Sequence, residues 1–353
     1  MKKVIVGMSG GVDSSVAALL LKKQGYDVIG VNLDLLPNPS CNKPCSNIQS
    51  INDAKKVCEK LDIPFYSLDF KDVFKKHVID YFADEYMKGH TPNPCIACNR
   101  YVKFEELLKV AKEKFHADFI ATGHYAKIEY NEKNGRYYIV ESDANGKDQT
   151  YVLYNLTQEQ LKHILMPLGS YTKDEIRKIA EENNLLNANK ADSQEICFVE
   201  DNDYAKYISE NYKYNIQSGN FVDTYGNILG KHKGIIHYTI GQRRGLGLSL
   251  KAPLYVTKLN VNKNEVILAP NDMLFSNTLI CTKPNFMPFE KLEEPMTVKA
   301  KIRYSAKKED ATIYPLEDGN IQVVFKNAQR AITPGQAVVF YNNNIVIGGG
   351  TII

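Results

Sequence analysis

Hydrophobic and polar positions follow two regimes along the chain. From Lys2 to His124, short apolar runs alternate with stretches whose apolar residues recur at helical spacing. Val4-Ile5-Val6-Gly7-Met8 has no polar position, as a strand buried on both faces requires. A Gly-rich turn follows, then a helix from about Ser14 to Gln24 that Gly25 closes as a C-cap. Val28 to Leu33 reads as a second strand, and Ile51, Ala54, Val57, Cys58 and Leu61 as one face of a helix. Pro64 to Leu68 is a third strand. Val73, Phe74, Val78, Tyr81, Phe82 and Tyr86 mark another helix, Phe104, Leu107, Leu108 and Ala111 the next, and Phe119-Ile120-Ala121 a fourth strand. This alternation predicts an α/β fold with a doubly wound parallel sheet. Ligands of such sheets sit outside the carboxyl ends of the strands.

The pattern then changes. Thr157 with Gln160, and Thr172 with Glu175, have capping-box spacing and open two helices around Pro167-Leu168-Gly169. Beyond about Asp203 the chain is rich in Gly, Asn and Tyr. Short β-type runs follow at Leu254 to Leu259, Glu265 to Leu268, Met296 to Arg303, Ile321 to Phe325 and Ala337 to Tyr341. Closely spaced turn signals separate them, as in small antiparallel barrels. Boundaries near residues 200 and 273 divide the chain into 1–200, a small β-rich central domain 201–273, and a C-terminal β-barrel 274–353.

Composition narrows the classes. The 353 residues are 44% hydrophobic and 24% charged, which excludes disordered and collagen-like chains. Lys plus Arg is 44 against 41 Asp plus Glu, so there is no polybasic tail, although a local basic face remains compatible with a net charge of +3. No stretch approaches the roughly 18 apolar residues of a membrane span, and the N-terminus enters a strand without a cleavage pattern. The expectation is a cytoplasmic protein with no membrane partner. Seven cysteines in a chain this long suit structural, catalytic or metal-binding roles better than a disulfide scaffold.

Two features carry chemistry. Ser9-Gly10-Gly11-Val12-Asp13-Ser14-Ser15 joins the first strand to the first helix, where backbone N–H groups, hydroxyls and the helix dipole make a phosphate cradle. It lacks the Lys of a Walker A loop and the Rossmann spacing. Asp13 would repel phosphate there unless a cation intervenes, which makes Mg²⁺ the bridge to pyrophosphate. The second feature is a pair of thiols. Cys98, in Asn93-Pro94-Cys95-Ile96-Ala97-Cys98-Asn99, is read as preceding a helix that starts at Val102-Lys103-Phe104, with Arg100 and Lys103 nearby to lower its pKa. Cys197, in Gln194-Glu195-Ile196-Cys197-Phe198, lies about one hundred residues later. Two separated reactive thiols suit a sulfur relay in which one carries a persulfide and the other resolves it as a disulfide.

Ser-Gly-Gly-Val-Asp-Ser after an N-terminal strand resembles the PP-loop signature of the ATP pyrophosphatases (adenine nucleotide alpha hydrolase-like). With the Asn-Pro-x-x-x-Cys-Asn segment, Ala121 to Ala126, Lys147 to Tyr151, Gln194 to Phe198, Tyr238 to Gly247 and Arg303-Tyr304-Ser305, nearly the whole chain is similar to the tRNA 2-thiouridylases. The resemblance implies ATP-dependent 2-thiolation of the wobble uridine in tRNAs for Lys, Glu and Gln. The uridine carbonyl would be adenylylated and sulfur delivered from a cysteine persulfide, with release of AMP and pyrophosphate. It implies that Gly7, Met8, Ser9, Gly10, Gly11, Val12, Asp13, Ser14, Leu33 and Gly123 bind ATP. Cys98 would be the nucleophile and Cys197 the persulfide carrier. Asn93, Pro94 and Cys95 would receive the flipped base. His124, Lys147, Asp148, Gln149, Arg303, Tyr304 and Gln336 would touch tRNA. ATP, Mg²⁺, tRNA and a persulfide sulfur-donor protein are the implied cofactors and partners.

The chain departs from the family pattern at Cys95, where many members carry Asp, which leaves the general acid/base unassigned. Cys95-x-x-Cys98 with Cys197 opens a second route, a 4Fe–4S cluster with one iron free for sulfide; zinc, a redox pair or a passive Cys95 are further readings. Leu33 replaces a common Met, and either would pack on adenine. Cys41 and Cys45 read as incidental thiols of a flanking loop, Cys58 as core and Cys281 as structural. Residue by residue, His124 could pack, Lys147 to Gln149 could be a solvated turn, and the Arg303 segment a Lys-protected edge strand. Arg243 and Arg244, beside several glycines, suit phosphate. The rival reading is a PP-loop ligase acting on a small molecule, which would need neither reactive thiols nor an RNA-facing barrel.

Overall fold

The computed structural model describes residues 1–36, 48–144, 146–185, 187, 196–199, 203–250 and 252–353. Cys41, Cys45, Gln194 and Glu195 lie outside the described residues.

The first region is built on five parallel strands. They are β1 (Lys3–Gly7), β2 (Asp27–Asp34), β3 (Phe65–Asp69) and β4 (Phe119–Ala121), and, after a hairpin of β5 (Ala126–Asn131) and β6 (Arg136–Glu141), β7 (Ile164–Leu165). Their order is β3-β2-β1-β4-β7. Val4, Ile5 and Val6 are fully buried, which is why β1 reads as an unbroken apolar run at the centre of the sheet. The strand order reverses between β1 and β4, and a crevice opens at their carboxyl ends. Both capping boxes, at Thr157 and Thr172, have the reciprocal hydrogen bonds that their spacing predicts.

Two of the helices are longer than expected and are wound differently in the middle. Lys71–Phe74, Lys75–Asp80 and Tyr81–Met87 run on as one helix, and so do Pro94–Ala97, Cys98–Glu106 and Leu107–Phe115; the middle segment of each is π-helical. The second begins at Pro94, not near Val102. Asn93 caps it by accepting the Cys95 N–H at 3.1 Å, and Pro94 occupies the first helical position, where its missing donor costs nothing. Cys98 therefore lies one turn inside the helix. The i→i+5 bonding that follows brings residues five apart towards one face, which a 3.6-residue period would separate.

The central region is a sheet of β8 (Gly219–Val222), β9 (Ile228–His232), β10 (Tyr255–Asn260) and β11 (Glu265–Ala269), in the order β10-β11-β8-β9, around Phe221, Tyr238, Val256, Val266 and Leu268. The last region comprises β12 (Phe275–Phe286), β13 (Met296–Lys301), β14 (Glu309–Pro315), β15 (Ile321–Arg330), β16 (Ala337–Asn342) and β17 (Ile345–Ile352). The order β12-β15-β14-β13-β16-β17 is closed by β12 pairing with β17, so the sheet is a barrel. Ile313, Val323, Val338 and Phe340 fill it.

The β5–β6 hairpin was not legible, because its first strand is half polar and partly exposed. It leaves the first region and extends the barrel sheet, with Val140 opposite Ile345. Arg136 Nε donates to the Met287 carbonyl at 2.7 Å, and Asn285 Nδ2 to the Tyr154 carbonyl at 2.8 Å, fastening the two regions together.

Candidate active site

A cavity of about 240 Å³ lies at the switch point of the parallel sheet. Its lining comes from three directions: Gly7, Met8, Ser9, Asp13 and Ser14 from the first loop, Asn32, Leu33 and Leu35 from the end of β2, and Thr122, Gly123 and His124 from the end of β4. Lys103 and Leu107, from the helix that carries Cys98, and Gln149 complete it.

The loop's shape is set by close backbone contact. Gly10 has φ +71, and a Cβ there would overlap the Ser50 carbonyl. A Cβ at Gly123 would stand 2.8 Å from the backbone of both Asp13 and Ser14, so only glycine lets β4 come this near the loop. Ser14 Oγ donates to the Gly11 carbonyl at 3.2 Å and accepts the Ser9 N–H at the same distance. Gly11, Gly10 and Val12 belong to the loop but do not line the cavity as Ser9, Asp13 and Ser14 do.

Asp13 lines this cavity. Its carboxylate accepts from Lys173 Nζ at 2.8 and 2.9 Å and from the Tyr125 hydroxyl at 2.7 Å. Neither partner belongs to the loop motif. The available signal was Lys173 itself, a cation at the first position of a helix, where the dipole disfavours positive charge.

His124 is buried and faces this cavity, with Nδ1 2.7 Å from the Thr122 hydroxyl. Burial, reinforced by the Lys103 ammonium, holds its pKa well below the ordinary histidine range, so the imidazole is neutral. Asn32 Nδ2 donates to the Met8 carbonyl at 2.9 Å, while its buried Oδ1 has no partner among the described residues. A buried acceptor without a donor in the cavity wall suits a polar ligand. Loop, cavity and donors fit an adenine nucleotide.

The thiols differ in setting. Cys95 is exposed, Cys98 buried and Cys197 half-buried. Arg100, expected beside Cys98, sends its guanidinium to the Asn155 carbonyl at 3.4 Å and lies over the Tyr101 ring. Lys103 lines the cavity at the sheet's switch point. Cys197 borders the hydrophobic cluster that contains Cys98 and is anchored by Phe198, whose ring packs against Phe74 and Phe82 at 5.8 and 5.3 Å. Among the described residues no group of three His, Cys, Asp or Glu side chains could hold a metal ion.

The remaining predicted residues form a second wall. Asp148 accepts from the Thr150 hydroxyl at 2.6 Å and from the Ser142 N–H at 3.2 Å, and its carbonyl accepts from the Tyr304 hydroxyl at 3.3 Å. Gln149 Oε1 accepts the Tyr125 N–H at 3.0 Å, while Lys147 is held through its N–H to the Ala144 carbonyl. Gln336 Nε2 donates to the Thr91 carbonyl at 2.6 Å, and the Thr91 N–H donates to the Pro334 carbonyl. Thr91 also reaches Thr239 of the central region at 3.3 Å. The approach to Asn93, Pro94 and Cys95 is thus strapped to both other regions. Arg303 donates to the Arg330 carbonyl at 3.1 Å beside this wall. Arg243 lines a different depression, about 410 Å³, between residues 243 and 254.

Family models match the chain in three consecutive pieces: a tRNA methyl transferase HUP domain over residues 2–201, a tRNA methyl transferase PRC-barrel domain over 206–270, and an aminomethyltransferase β-barrel domain over 276–352. The tRNA-specific 2-thiouridylase MnmA of Acetivibrio thermocellus is 57% identical over 356 residues, 99% of each chain. The chain belongs to this family. The enzyme of the same name from Clostridium perfringens is 56% identical over 99% of this chain and 98% of its own. The 2-thiouridylase MnmA 1 of Thermoanaerobacter pseudethanolicus is 58% identical over 99% and 97%. Membership accounts for the succession of parallel sheet, small central sheet and closed barrel. No helix among the described residues is long and apolar enough to cross a membrane.

Proposed function

We propose that this protein is an ATP-dependent tRNA sulfurtransferase that replaces the carbon-2 oxygen of the wobble uridine in tRNAs for Lys, Glu and Gln. One observation carries the reading. The Gly-rich loop and the helix that bears Cys98 line a single cavity, the helix through Lys103 and Leu107. A nucleotide on the loop and a thiol on the helix would then act on one substrate atom. The thiouridylase names of the full-length relatives support this reading over the methyl-transfer wording of the family models.

The chemistry balances with the residues present. The uridine carbonyl oxygen attacks the α-phosphate of Mg²⁺-ATP and pyrophosphate leaves, turning a poor leaving group into AMP. Ser9, Ser14 and the loop N–H groups hold the phosphates, and Leu33 packs on adenine. Mg²⁺ enters with ATP and needs only a carboxylate and phosphate oxygens. The terminal sulfur of a Cys197 persulfide attacks carbon 2 and displaces AMP. The Cys98 thiolate then attacks the Cys197 sulfur. A Cys98–Cys197 disulfide forms, the bond from Cys197 to the transferred sulfur breaks, and 2-thiouridine remains. A dithiol reductant restores both thiols, and a persulfide donor protein reloads Cys197. The base must leave the anticodon stack to be reached, and Asn93, Pro94 and Cys95 form its receiving edge. Lys147, Asp148, Gln149, Arg303, Tyr304 and Gln336 take the tRNA on the second wall. His124, buried beside the nucleotide cavity, serves the adenylate side of that junction.

The test is a thiolation assay with wobble-uridine tRNA, ATP, a persulfide donor and a dithiol, on protein freed of iron and zinc. Formation of 2-thiouridine with stoichiometric AMP supports the relay. Activity that returns only with iron and sulfide moves the mechanism to a cluster. ATP–pyrophosphate exchange on a small acid, with no thiolated tRNA, overturns the reading.

A further inference from the structure

Lysines on and just after β13 differ in how their charge is met. Lys299 Nζ is 2.9 Å from the Asp310 carboxylate, and Lys308 is paired with Glu141 and lies 4.3 Å from the centre of the Tyr341 ring. Lys301, between them, has no carboxylate within ion-pair distance among the described residues. Asp148 and Glu141 attract it from farther off, and Lys308 repels it. The Asp148 carboxylate is engaged by the Thr150 hydroxyl and by the Ser142 and Thr150 N–H groups. Lys301 Nζ instead lies 5.7 Å from the centre of the Tyr151 ring and 5.4 Å from that of Tyr304. Both rings are fixed. The Tyr151 hydroxyl donates to the Ala337 carbonyl at 2.8 Å, that of Tyr304 to the Asp148 carbonyl at 3.3 Å, and the rings meet edge to face 6.1 Å apart.

A half-buried ammonium without an ion pair is costly, and burial holds the Lys301 pKa below the ordinary lysine range. The two ring faces offset part of that cost. An apolar side chain would fill the space between the rings better, and a solvated lysine would extend its ammonium into water. What the arrangement provides is a cation fixed beside an aromatic ring that is 45% exposed, Tyr304. Burial raises the Tyr304 pKa, with Asp148 and Cys95 adding to the effect and Lys147 opposing it. This corner therefore adjoins both the 147–149 segment and the Cys95 end of the base-receiving edge. Single-stranded RNA carries a phosphate between successive bases, and a cation next to an exposed ring matches that repeat.

We propose that Lys301 is a phosphate receptor for the tRNA, taking a backbone phosphate that flanks the flipped nucleotide while Tyr304 stacks on a neighbouring base. This rests on the tRNA reading above and deepens it, by assigning a charge contact to a residue that none of the recognised motifs contains. Tyr151 and Tyr304 hold the ammonium in place before the RNA arrives, so the contact orders little side chain on binding.

The full chain is titrated against a labelled, unmodified transcript of a wobble-uridine tRNA over a series of salt concentrations, as wild type, Lys301→Met and Lys301→Arg. At low salt Lys301→Met should bind about five- to tenfold weaker, and its slope of log Kd against log salt should fall by roughly 0.7–1, the share of one phosphate. Lys301→Arg should keep the wild-type slope. An anticodon stem-loop with one methylphosphonate beside the wobble position should bind wild type more weakly and leave Lys301→Met unaffected. Weaker binding by Lys301→Met with an unchanged slope means that the lysine only spaces the two rings, and overturns the proposal. Wild-type affinity in that variant overturns it too, as does equal sensitivity of both proteins to every methylphosphonate. If Lys301→Met does not fold, Lys301→Gln takes its place. If neither folds, wild type decides alone: bound tRNA must protect Lys301 from reductive methylation, and equal labelling with and without tRNA overturns the proposal. Wild type that binds the transcript at no salt concentration refutes the tRNA reading itself, an outcome distinct from an unchanged slope.

Discussion

The two walls of the proposed site are made by different means. The phosphate loop of the first wall is one run of chain, residues 7–14, bent by glycine between a strand and a helix. The barrel wall is assembled from single hydrogen bonds between distant segments, with 245 positions separating Gln336 from Thr91 and 156 separating Tyr304 from Asp148. The first depends on backbone shape and is disrupted by volume. The second depends on docking and is disrupted by losing one donor. The loop wall also takes a contact from Lys173, 160 positions away.

The largest effect falls where the two walls meet. Cys98→Ser and Cys197→Ser should each lower tRNA thiolation by about three orders of magnitude or more and leave nucleotide binding intact. Mass spectrometry of digested tRNA reads the product. Substantial 2-thiouridine from either variant would break the division between a nucleotide wall and a thiol pair. Next, Gly123→Ala places a methyl 2.8 Å from the loop backbone. Overpacking of this kind costs about 1–3 kcal/mol. We expect a lower melting temperature together with a KM for ATP raised about tenfold, since the strained atoms are those of the phosphate loop.

A pH titration sharpens the contrast further. His124 is held neutral by burial and by Lys103, well below its ordinary 6.5. The unfolded chain therefore takes up its proton first as pH falls. This contribution leaves stability undiminished above about pH 6.5 and lowers it below that, by at most about 1.4 kcal/mol per pH unit. His124→Gln should flatten that slope in denaturant unfolding between pH 6.5 and 5; an unchanged slope would assign it to other groups. On the barrel wall, Gln336→Ala removes the bond to Thr91 and should cost about 1 kcal/mol. The KM for tRNA should rise roughly fivefold while that for ATP stays. Equal changes in both would mean that the walls are one unit. The smallest effect is a control: Thr157→Ala breaks a capping box away from both walls and should cost about 1 kcal/mol of stability without altering either KM.

What could be read beforehand follows the same division. Four strands of the parallel sheet, both capping boxes and the phosphate loop were legible because hydrophobic period, cap chemistry and glycine turns are short-range signals. The second helix starts at Pro94, eight positions before Val102, on a short-range signal: Asn at the cap followed by Pro at the first position. The β5–β6 hairpin was missed because half-polar strands lose their alternation when one face docks on another region. Arg100 adjoins the thiol in sequence, and its bond to the Asn155 carbonyl is a contact that only the fold reveals.

The sequence by itself determined four strands of the parallel sheet, the capped helices and the anion-binding character of the first loop. Those properties depend on φ/ψ preferences and on contacts within a few residues. Tertiary structure alone decided which charge sits beside Asp13, which face of a π-wound helix looks into the cavity, and how Thr91 is tied to Gln336. These are meetings of side chains separated by one hundred to nearly two hundred and fifty positions. No local pattern encodes them, because they exist only after the hydrophobic cores have brought the segments together.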